Sequence, residues 1–185
     1  WWRHQNFDDC AIMASADVVG QVTGKEPTED AIIRMAQSTP STVHPGSIYM
    51  RPVKGNATSG MGTATADLPE LLRQYGVRAV MSDKDSSAKT HVPAGIEGLE
   101  QLLGSGHKVI VSLNAEMIWH QPIENKDGNG NPRSDHAVVV TGIDTANNLV
   151  HLNDSGNPKG RDEQIPLALF MQAWETSNEL VITTT

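Results

Sequence analysis

The 185-residue chain contains a single cysteine and only 4% aromatic residues. One cysteine excludes an internal disulfide and any zinc site built from several cysteines. Basic residues are outnumbered by acidic ones, and the formal net charge of −8 argues against a nucleic-acid or anionic-membrane partner. No apolar run approaches the roughly 18–20 residues that a membrane span requires. The remaining composition is globular and predicts a single domain over 1–185.

The first half of the chain is predicted to be mainly helical. Residues 10–22 have apolar side chains at helical spacing and no proline, and Asp8 and Asp9 before them are residue types that cap helices. Further helices are predicted over 28–37, 66–75 and 95–103. A loop rich in Pro, Gly, Ser and Thr is expected over 38–62, and loops of this length often carry function.

Strands dominate the second half. They are predicted over 77–81, 108–113, 136–143, 149–153 and 179–183, with a last helix over 165–175. The segments 136–143 and 149–153 are joined by a short turn, which is the spacing of a hairpin. Helices first and then strands at hairpin spacing predict an α+β fold rather than alternating βαβ units.

Cys10 lies in the first turn of the first predicted helix. Unpaired backbone N–H groups and the positive end of the helix dipole favour a thiolate at this position. A buried structural cysteine would gain nothing from it. Asp8 and Asp9 oppose the thiolate, because negative neighbours disfavour a second negative charge. A reactive Cys10 therefore needs a histidine partner.

His136 is the preferred partner, because it opens an apolar strand directly after a polar loop. A histidine exposed to water at a strand start is the alternative interpretation. The next strand ends at Asn153 and Asp154, and pairing within a hairpin brings these residues beside His136. A carboxylate there can accept the Nδ1–H of His136 and turn the other ring nitrogen toward the thiol.

Strand alternation favours Asp154 over Asn153 as this partner. Val150 and Leu152 make one face of the strand apolar, and Asp154 continues that face inward. Asn153 would share the opposite face with His151. The choice stays open at this stage, because a strand that ends at Leu152 lets the turn swing either side chain inward.

Three segments together resemble the papain-like cysteine peptidases related to bacteriocin-leader (double-glycine) peptidases. They are Gln5 to Ala11 (QNFDDCA), Asp135 to Gly142 (DHAVVVTG) and Leu152 to Asp154 (LND). The resemblance implies N-terminal helices that carry the nucleophile, packed on an antiparallel sheet that carries the base. Ala11 and Ser155 depart from the pattern, since many members have Gly after the cysteine and Pro after the aspartate.

The resemblance also implies a role for each site residue. Cys10 would be the nucleophile, His136 the base, Asp154 the orienting group and Gln5 an oxyanion donor. The predicted activity is that of a cysteine peptidase or amidase acting on a peptide or protein, without cofactor or metal. The same triad serves transferases and deamidases, and the scaffold can also be a silent binding module of a larger surface protein.

Location is predicted from the same resemblance. The chain starts with two tryptophans instead of an initiator methionine and has no signal-like segment, so we expect a processed protein or an excised domain. The resemblance points to a bacterial protein that is secreted or on the cell surface. A cytoplasmic protein is the alternative, because the chain has no disulfide.

One further motif lies just before His136. Asn125, Asp127 and Asn129, followed by Gly130, resemble the start of a calcium-binding loop. The twelfth position of that loop is His136 instead of the bidentate glutamate that such a loop needs. We therefore expect a surface loop over 124–134 at the rim of a substrate cleft, and no metal site.

Overall fold

The computed structural model describes residues 1–50 and 62–185, and an antiparallel sheet lies at its centre. The strands in this part of the chain are β1 (Ala79–Ser82), β2 (Val109–Leu113), β3 (His136–Asp144), β4 (Leu149–Asn153), β5 (Glu163–Pro166) and β6 (Val181–Thr184). They lie in the order β1-β6-β2-β3-β4-β5, with every neighbouring pair antiparallel. The predicted α+β class is confirmed.

Helices precede the sheet strands and also connect them. They are α1 (Cys10–Thr23), α2 (Glu29–Ser38), α3 (Leu68–Arg73, after a 3₁₀ turn at Thr65–Asp67), α4 (Ser87–Thr90), α5 (Gly95–Gly104), α6 (Ala115–Ile118) and α7 (Leu167–Glu175). The short helices α4 and α6 were not predicted. The loop predicted over 38–62 lies partly outside the described residues. Among the described helices, none is both long and apolar enough to cross a bilayer.

The sheet is covered by helices on both faces. On one face α1 and α3 pack against β2, β3 and β6, where Val18, Leu68 and Val139 belong to one buried cluster. On the other face α5 and α7 pack against the same sheet, with Phe170 and Trp174 at the centre of a second cluster. Because both faces are covered, β2 and the first five residues of β3 are buried without alternation.

The hairpin of β3 and β4 brings the start of one strand beside the end of the other. Val139 pairs with Asn153 and Val140 with Leu152, and a bulge at Thr141 shifts the register toward the turn. Continuing the register beyond Asn153 places the following residues opposite His136. Because α1 packs directly on β3, its first residue Cys10 also lies at this end of the sheet.

The predicted last helix starts too early. Residues 163–166 form β5, which pairs with β4, and α7 begins only at Leu167. Pro166 is compatible with this position because β5 is an edge strand, where a missing N–H does not interrupt the sheet. Pairing with the preceding strand β4, rather than any pattern within the four residues, therefore determines their structure.

Candidate active site

The start of α1 places Cys10 on the face of the sheet that α1 and α3 cover. Cys10 is the first residue of the helix and is partly buried. As the first helical residue it has a backbone N–H without an intrahelical acceptor. Asp9 occupies the N-cap position, but its side chain makes no capping hydrogen bond. The expected capping role of this aspartate is therefore wrong.

His136 and Asp154 are brought together by the β3–β4 hairpin. Nε2 of His136 lies 2.7 Å from Oδ1 of Asp154, and both side chains are buried. The Cys10 side chain is the other group that interacts with this imidazole, and it raises the pKa of the ring. Cys10, His136 and Asp154 thus form one contiguous group, although they come from a helix start, a strand start and a strand end.

The nitrogen that faces Asp154 is not the one expected. The sequence analysis assigned Nδ1 to the carboxylate, whereas the structure places Nε2 there and leaves Nδ1 for Cys10. The hairpin brings the two residues together with either ring orientation. The rotation of the imidazole is set by its packing, which includes an edge-on contact with Trp119 at 5.0 Å between ring centres.

Asp154 is held by several donors in addition to His136. Trp119 donates from Nε1 to Oδ2 at 2.8 Å, and the backbone N–H of Gly156 donates to Oδ1 at 2.9 Å. Burial would raise the pKa of Asp154, but the hydrogen bonds and the charge of the imidazole outweigh it and hold the pKa below its ordinary value. Asp154 is therefore ionised at neutral pH.

Asn153 points away from the imidazole. Its amide nitrogen donates to the carbonyl of Trp1 at 2.7 Å and to the carboxylate of Asp17 at 2.8 Å. The alternation of β4 explains the difference, because Val150, Leu152 and Asp154 are buried whereas Asn153 is only partly covered. Of the two candidates, Asp154 is the residue that bonds the His136 ring.

The protonated imidazole is strongly favoured at His136. Burial lowers the pKa of this ring, but the hydrogen bond to Asp154 and the interaction with the Cys10 side chain raise it well above its ordinary value. The carboxylate of Asp154 carries a negative charge, and the thiol of Cys10 can acquire one. A protonated imidazole between them is what a thiolate–imidazolium pair requires.

Asp9 precedes Cys10 in the chain and, unlike Asp154, is buried without hydrogen-bond donors to its carboxyl group among the described residues. It is 2% exposed, and neither carboxyl oxygen has a hydrogen-bond partner of good geometry among the residues that the structure describes. Burial, reinforced by the carboxylates of Glu29 and Asp8, raises the pKa of Asp9 to about 8. Asp9 is therefore mostly neutral at pH 7.

Gln5 lies against the turn that follows β4. Its backbone N–H donates to the carbonyl of Ser155 at 2.9 Å, and its side-chain oxygen accepts from the Ser155 hydroxyl at 2.8 Å. Its side-chain nitrogen donates to the carbonyl of Phe7 at 2.9 Å. An amide nitrogen carries two hydrogens. One N–H of Gln5 therefore has no recorded acceptor within the described ranges.

A cleft of about 480 Å³ opens at Cys10. Its lining includes Asp8, Asp9 and Cys10 from the start of α1 and Asn125, Arg133 and Asp135 from the segment before β3. The predicted loop over 124–134 therefore borders this cleft. A second hollow of about 460 Å³ lies beyond Trp119 and Gly156 and includes Glu163, whose pKa is raised to about 7 by burial and by the charge of Asp154.

The calcium-like motif forms a tight turn closed by its own side chain. Asp127 accepts from the backbone N–H groups of Asn129 and Asn131 at 2.8 and 2.9 Å, and Gly130 has a positive φ of 82°. This carboxylate is therefore used within the turn. Within residues 1–50 and 62–185, no group of three or more His, Cys, Asp or Glu side chains could hold a metal ion.

The contacts of three further residues at the site were not predicted from the sequence. Trp119 and Ser155 contact the site through tertiary hydrogen bonds, for which the sequence has no local pattern. Gly156 packs so closely that a Cβ there would lie 2.9 Å from Cε1 of His136 and 3.1 Å from the Trp119 ring. A glycine two residues after the predicted orienting residue was the one available signal of close approach.

The chain is similar to known proteins over nearly its whole length. The sequence profile of the Peptidase_C39 like family matches residues 2–182. The uncharacterized protein Rv1268c of Mycobacterium tuberculosis is 62% identical over 186 residues, which is 100% of this chain and 80% of that protein. The uncharacterized protein Mb1299c of Mycobacterium bovis has the same identity and coverage.

Solved structures show a similar fold. A protein described as a C39-like peptidase from Bacillus anthracis superposes with a TM-score of 0.68 at 20% identity, covering 100% of this chain and 94% of its own. A double-glycine motif protease from an AMS/PCAT transporter, solved in complex with the leader peptide, superposes with a TM-score of 0.55 at 15% identity. That match covers 100% of this chain and 90% of the protease.

Proposed function

Because the chain belongs to the Peptidase_C39 like family, we propose that it is a cysteine peptidase that forms an acyl-enzyme on Cys10. The observation that carries this proposal is the position of His136, whose ring reaches the Cys10 side chain on one side and Asp154 on the other. A nucleophile, a base and a group that orients the base are the three elements that covalent catalysis by a thiol requires.

The proposed reaction starts from an ion pair in which the proton of the Cys10 thiol is held on Nδ1 of His136. The thiolate attacks the carbonyl carbon of the scissile bond, and the imidazolium then gives its proton to the departing amine. Water, deprotonated by the same imidazole, hydrolyses the thioester and restores Cys10. Throughout, Asp154 accepts the Nε2–H and stabilises the positive ring.

The oxyanion of the tetrahedral intermediate needs donors close to Cys10. The backbone N–H of Cys10 is one candidate, because it is the first residue of α1 and has no intrahelical acceptor. The second N–H of the Gln5 side chain is the other, since Phe7 occupies only one of the two. Such donors act on charge that develops in the transition state.

The proposed substrate is a peptide or protein. A double-glycine motif protease with a similar fold was solved with a leader peptide, which supports an extended peptide as the substrate class. The cleft at Cys10 has room for such a segment, at about 480 Å³. Among the described residues that line this cleft, acidic side chains outnumber the basic Arg133, so we expect neutral or basic residues to be preferred there.

The test is turnover of internally quenched peptides, some with a Gly-Gly pair, by the wild type, a cysteine variant and two histidine variants. We expect Cys10→Ala and His136→Ala to lose all turnover, and Cys10→Ala to keep the wild-type melting temperature. His151→Ala is the matched control, because this histidine of β4 bonds to the exposed Asp162 instead. Turnover retained by Cys10→Ala would falsify the nucleophile assignment.

The alternatives give different results in the same assay. Mass spectrometry with an added amine separates hydrolysis from acyl transfer, and a mass gain of about 1 Da on a glutamine peptide indicates deamidation. A binding module without catalysis would show no turnover, and iodoacetamide would alkylate its Cys10 no faster than free cysteine at any pH.

A further inference from the structure

The N-terminal segment and the turn after β4 are joined around Gln5. The indole N–H of Trp2 donates to the carbonyl of Asp154 at 2.9 Å, and the backbone N–H of Gln5 donates to the carbonyl of Ser155 at 2.9 Å. Two consecutive residues of the turn thus anchor the segment that carries Gln5. The same turn directs the Asp154 carboxylate at His136.

The Ser155 hydroxyl adds a contact that the backbone cannot supply. It donates to the side-chain oxygen of Gln5 at 2.8 Å, and Ser155 is 5% exposed, so water does not compete freely for this bond. Phe7 accepts from the nitrogen of the same amide at 2.9 Å. A carbonyl can only accept, so the Phe7 contact requires the amide nitrogen on its side and the oxygen on the side of Ser155.

This arrangement determines where the remaining N–H of Gln5 points. With the oxygen bonded to Ser155 and one hydrogen bonded to Phe7, the planar amide has no rotational freedom, and its second N–H is fixed in direction. Without the hydroxyl, the oxygen loses its donor and only the Phe7 contact restrains the side chain. A donor that must reorganise during the reaction stabilises an oxyanion less well than one already in place.

We propose that Ser155 is a positioning residue that orients the Gln5 amide for oxyanion binding. The proposal rests on the proposed function, because it assigns Ser155 an effect through Gln5. It also gives a physical role to the serine that replaces the proline common in the family. One turn then positions two groups, with Asp154 orienting the base and Ser155 orienting the oxyanion donor.

The experiment is a double-variant cycle of Gln5→Ala and Ser155→Ala, measured as kcat and KM on the peptide that the wild type cleaves best. Loss of an oxyanion donor lowers kcat by about 10²–10³-fold, and misplacement of one lowers it by about 10–100-fold. We expect Ser155→Ala to lower kcat within this second range, with little change in KM or in the rate of Cys10 alkylation. In the Gln5→Ala background the Ser155 substitution should have no further effect on kcat.

Two controls separate positioning from a merely structural role. Ser155→Thr keeps the hydroxyl and should restore most of the lost kcat. Ser177→Ala removes another partly buried serine, whose hydroxyl bonds to the carbonyl of Ser112 at 2.7 Å, and should lower the melting temperature without lowering kcat. Equal losses of kcat from Ser155→Ala with and without Gln5 would overturn the proposal.

A spectroscopic measurement keeps the proposal testable even if no substrate is cleaved. The side-chain NH₂ signals of Gln5 can be assigned in a ¹⁵N spectrum by their loss in Gln5→Ala. We expect Ser155→Ala to shift these signals and accelerate their exchange with water, and Ser155→Thr to leave them near their wild-type positions. Unchanged Gln5 signals in Ser155→Ala would refute the positioning role, whereas absent turnover by the wild type would refute the proposed function alone.

Discussion

The start of α1 and the turn after β4 each bury an aspartate next to the candidate catalytic pair, with opposite results. Asp154 accepts hydrogen bonds from His136, Trp119 and the backbone of Gly156, and its pKa lies below the ordinary value. Asp9 has no such donors among the described residues, and its pKa is raised to about 8. Burial is common to both residues, so the donors decide which of them is charged.

This difference changes the electrostatic argument for Cys10. From the sequence, Asp8 and Asp9 both counted as negative neighbours that oppose a thiolate. The structure removes most of that opposition, because a largely neutral Asp9 leaves only the exposed Asp8 close to the cysteine in the chain. The negative charge lies instead at Asp154, where it stabilises the protonated imidazole of His136.

The largest effect is expected when the charged carboxylate of Asp154, in the turn after β4, is removed. We expect Asp154→Ala to lower kcat by about 10³–10⁴-fold, because the imidazole loses both its orientation and its counter-charge. Asn153→Ala is the matched control at the neighbouring position, and its loss should stay below tenfold, since Asn153 bonds to Trp1 and Asp17 instead of to the ring. Alkylation of Cys10 by iodoacetamide as a function of pH gives the same ranking without a substrate. A larger loss in Asn153→Ala would contradict this assignment.

A smaller change removes one donor and leaves the carboxylate in place. Trp119→Phe keeps an aromatic ring beside His136 but deletes the N–H that bonds to Asp154 at 2.8 Å. The pKa of Asp154 should rise, so that its charge is lost at a higher pH as the solution is acidified. We expect the acidic limb of the kcat/KM profile to move to higher pH, with a loss of about tenfold at neutral pH.

A second tryptophan, in α7, serves as the control for this variant. Trp174→Phe also loses an indole N–H, which donates to the backbone carbonyl of Leu180 and not to Asp154. That variant should be less stable and keep the wild-type pH profile. An unchanged acidic limb in Trp119→Phe would show that Asp154 remains ionised without this donor.

Much of the fold could be predicted because the relevant patterns are local. The helical spacing of 10–22, the apolar run of 108–113 and the hairpin spacing of 136–153 correspond to α1, β2 and the β3–β4 pair. The strand β5 could not be predicted in this way. Its four residues include a proline and pair with β4 only because the chain folds back on the sheet edge.

The same distinction applies to the candidate site. Cys10, His136 and Asp154 stand at a helix start, a strand start and a strand end, and such positions can be inferred from periodicity. Trp119 lies 35 positions before Asp154 in the sequence, and only tertiary packing brings its N–H to the carboxylate. The ring nitrogen of His136 that faces Asp154 was also mispredicted, because side-chain rotation depends on packing that the sequence pattern does not describe.

The smallest effect is expected when Asp9, at the start of α1, is replaced by a side chain that cannot ionise. Asp9→Asn replaces the protonated carboxyl by an amide of nearly the same shape, so kcat at neutral pH should change little. Its effect should appear in the free energy of unfolding as the pH is raised. Between the ordinary pKa of 3.8 in the unfolded chain and about 8 in the folded protein, only the folded state keeps the Asp9 proton. Stability of the wild type therefore falls across this window by up to about 1.4 kcal/mol per pH unit from this group, and the loss ends above pH 8.

Asp9→Asn should abolish this contribution, so the variant becomes more stable than the wild type as the pH rises from 4 to 8. Urea unfolding at several pH values measures the difference directly. Asp8→Asn is the matched control, since this neighbouring aspartate is exposed and its replacement should change stability by only about 0.5 kcal/mol at any pH. Parallel pH curves for the wild type and Asp9→Asn would mean that Asp9 is ionised in the folded protein. A donor would then have to stabilise its charge, and the contrast with Asp154 would disappear.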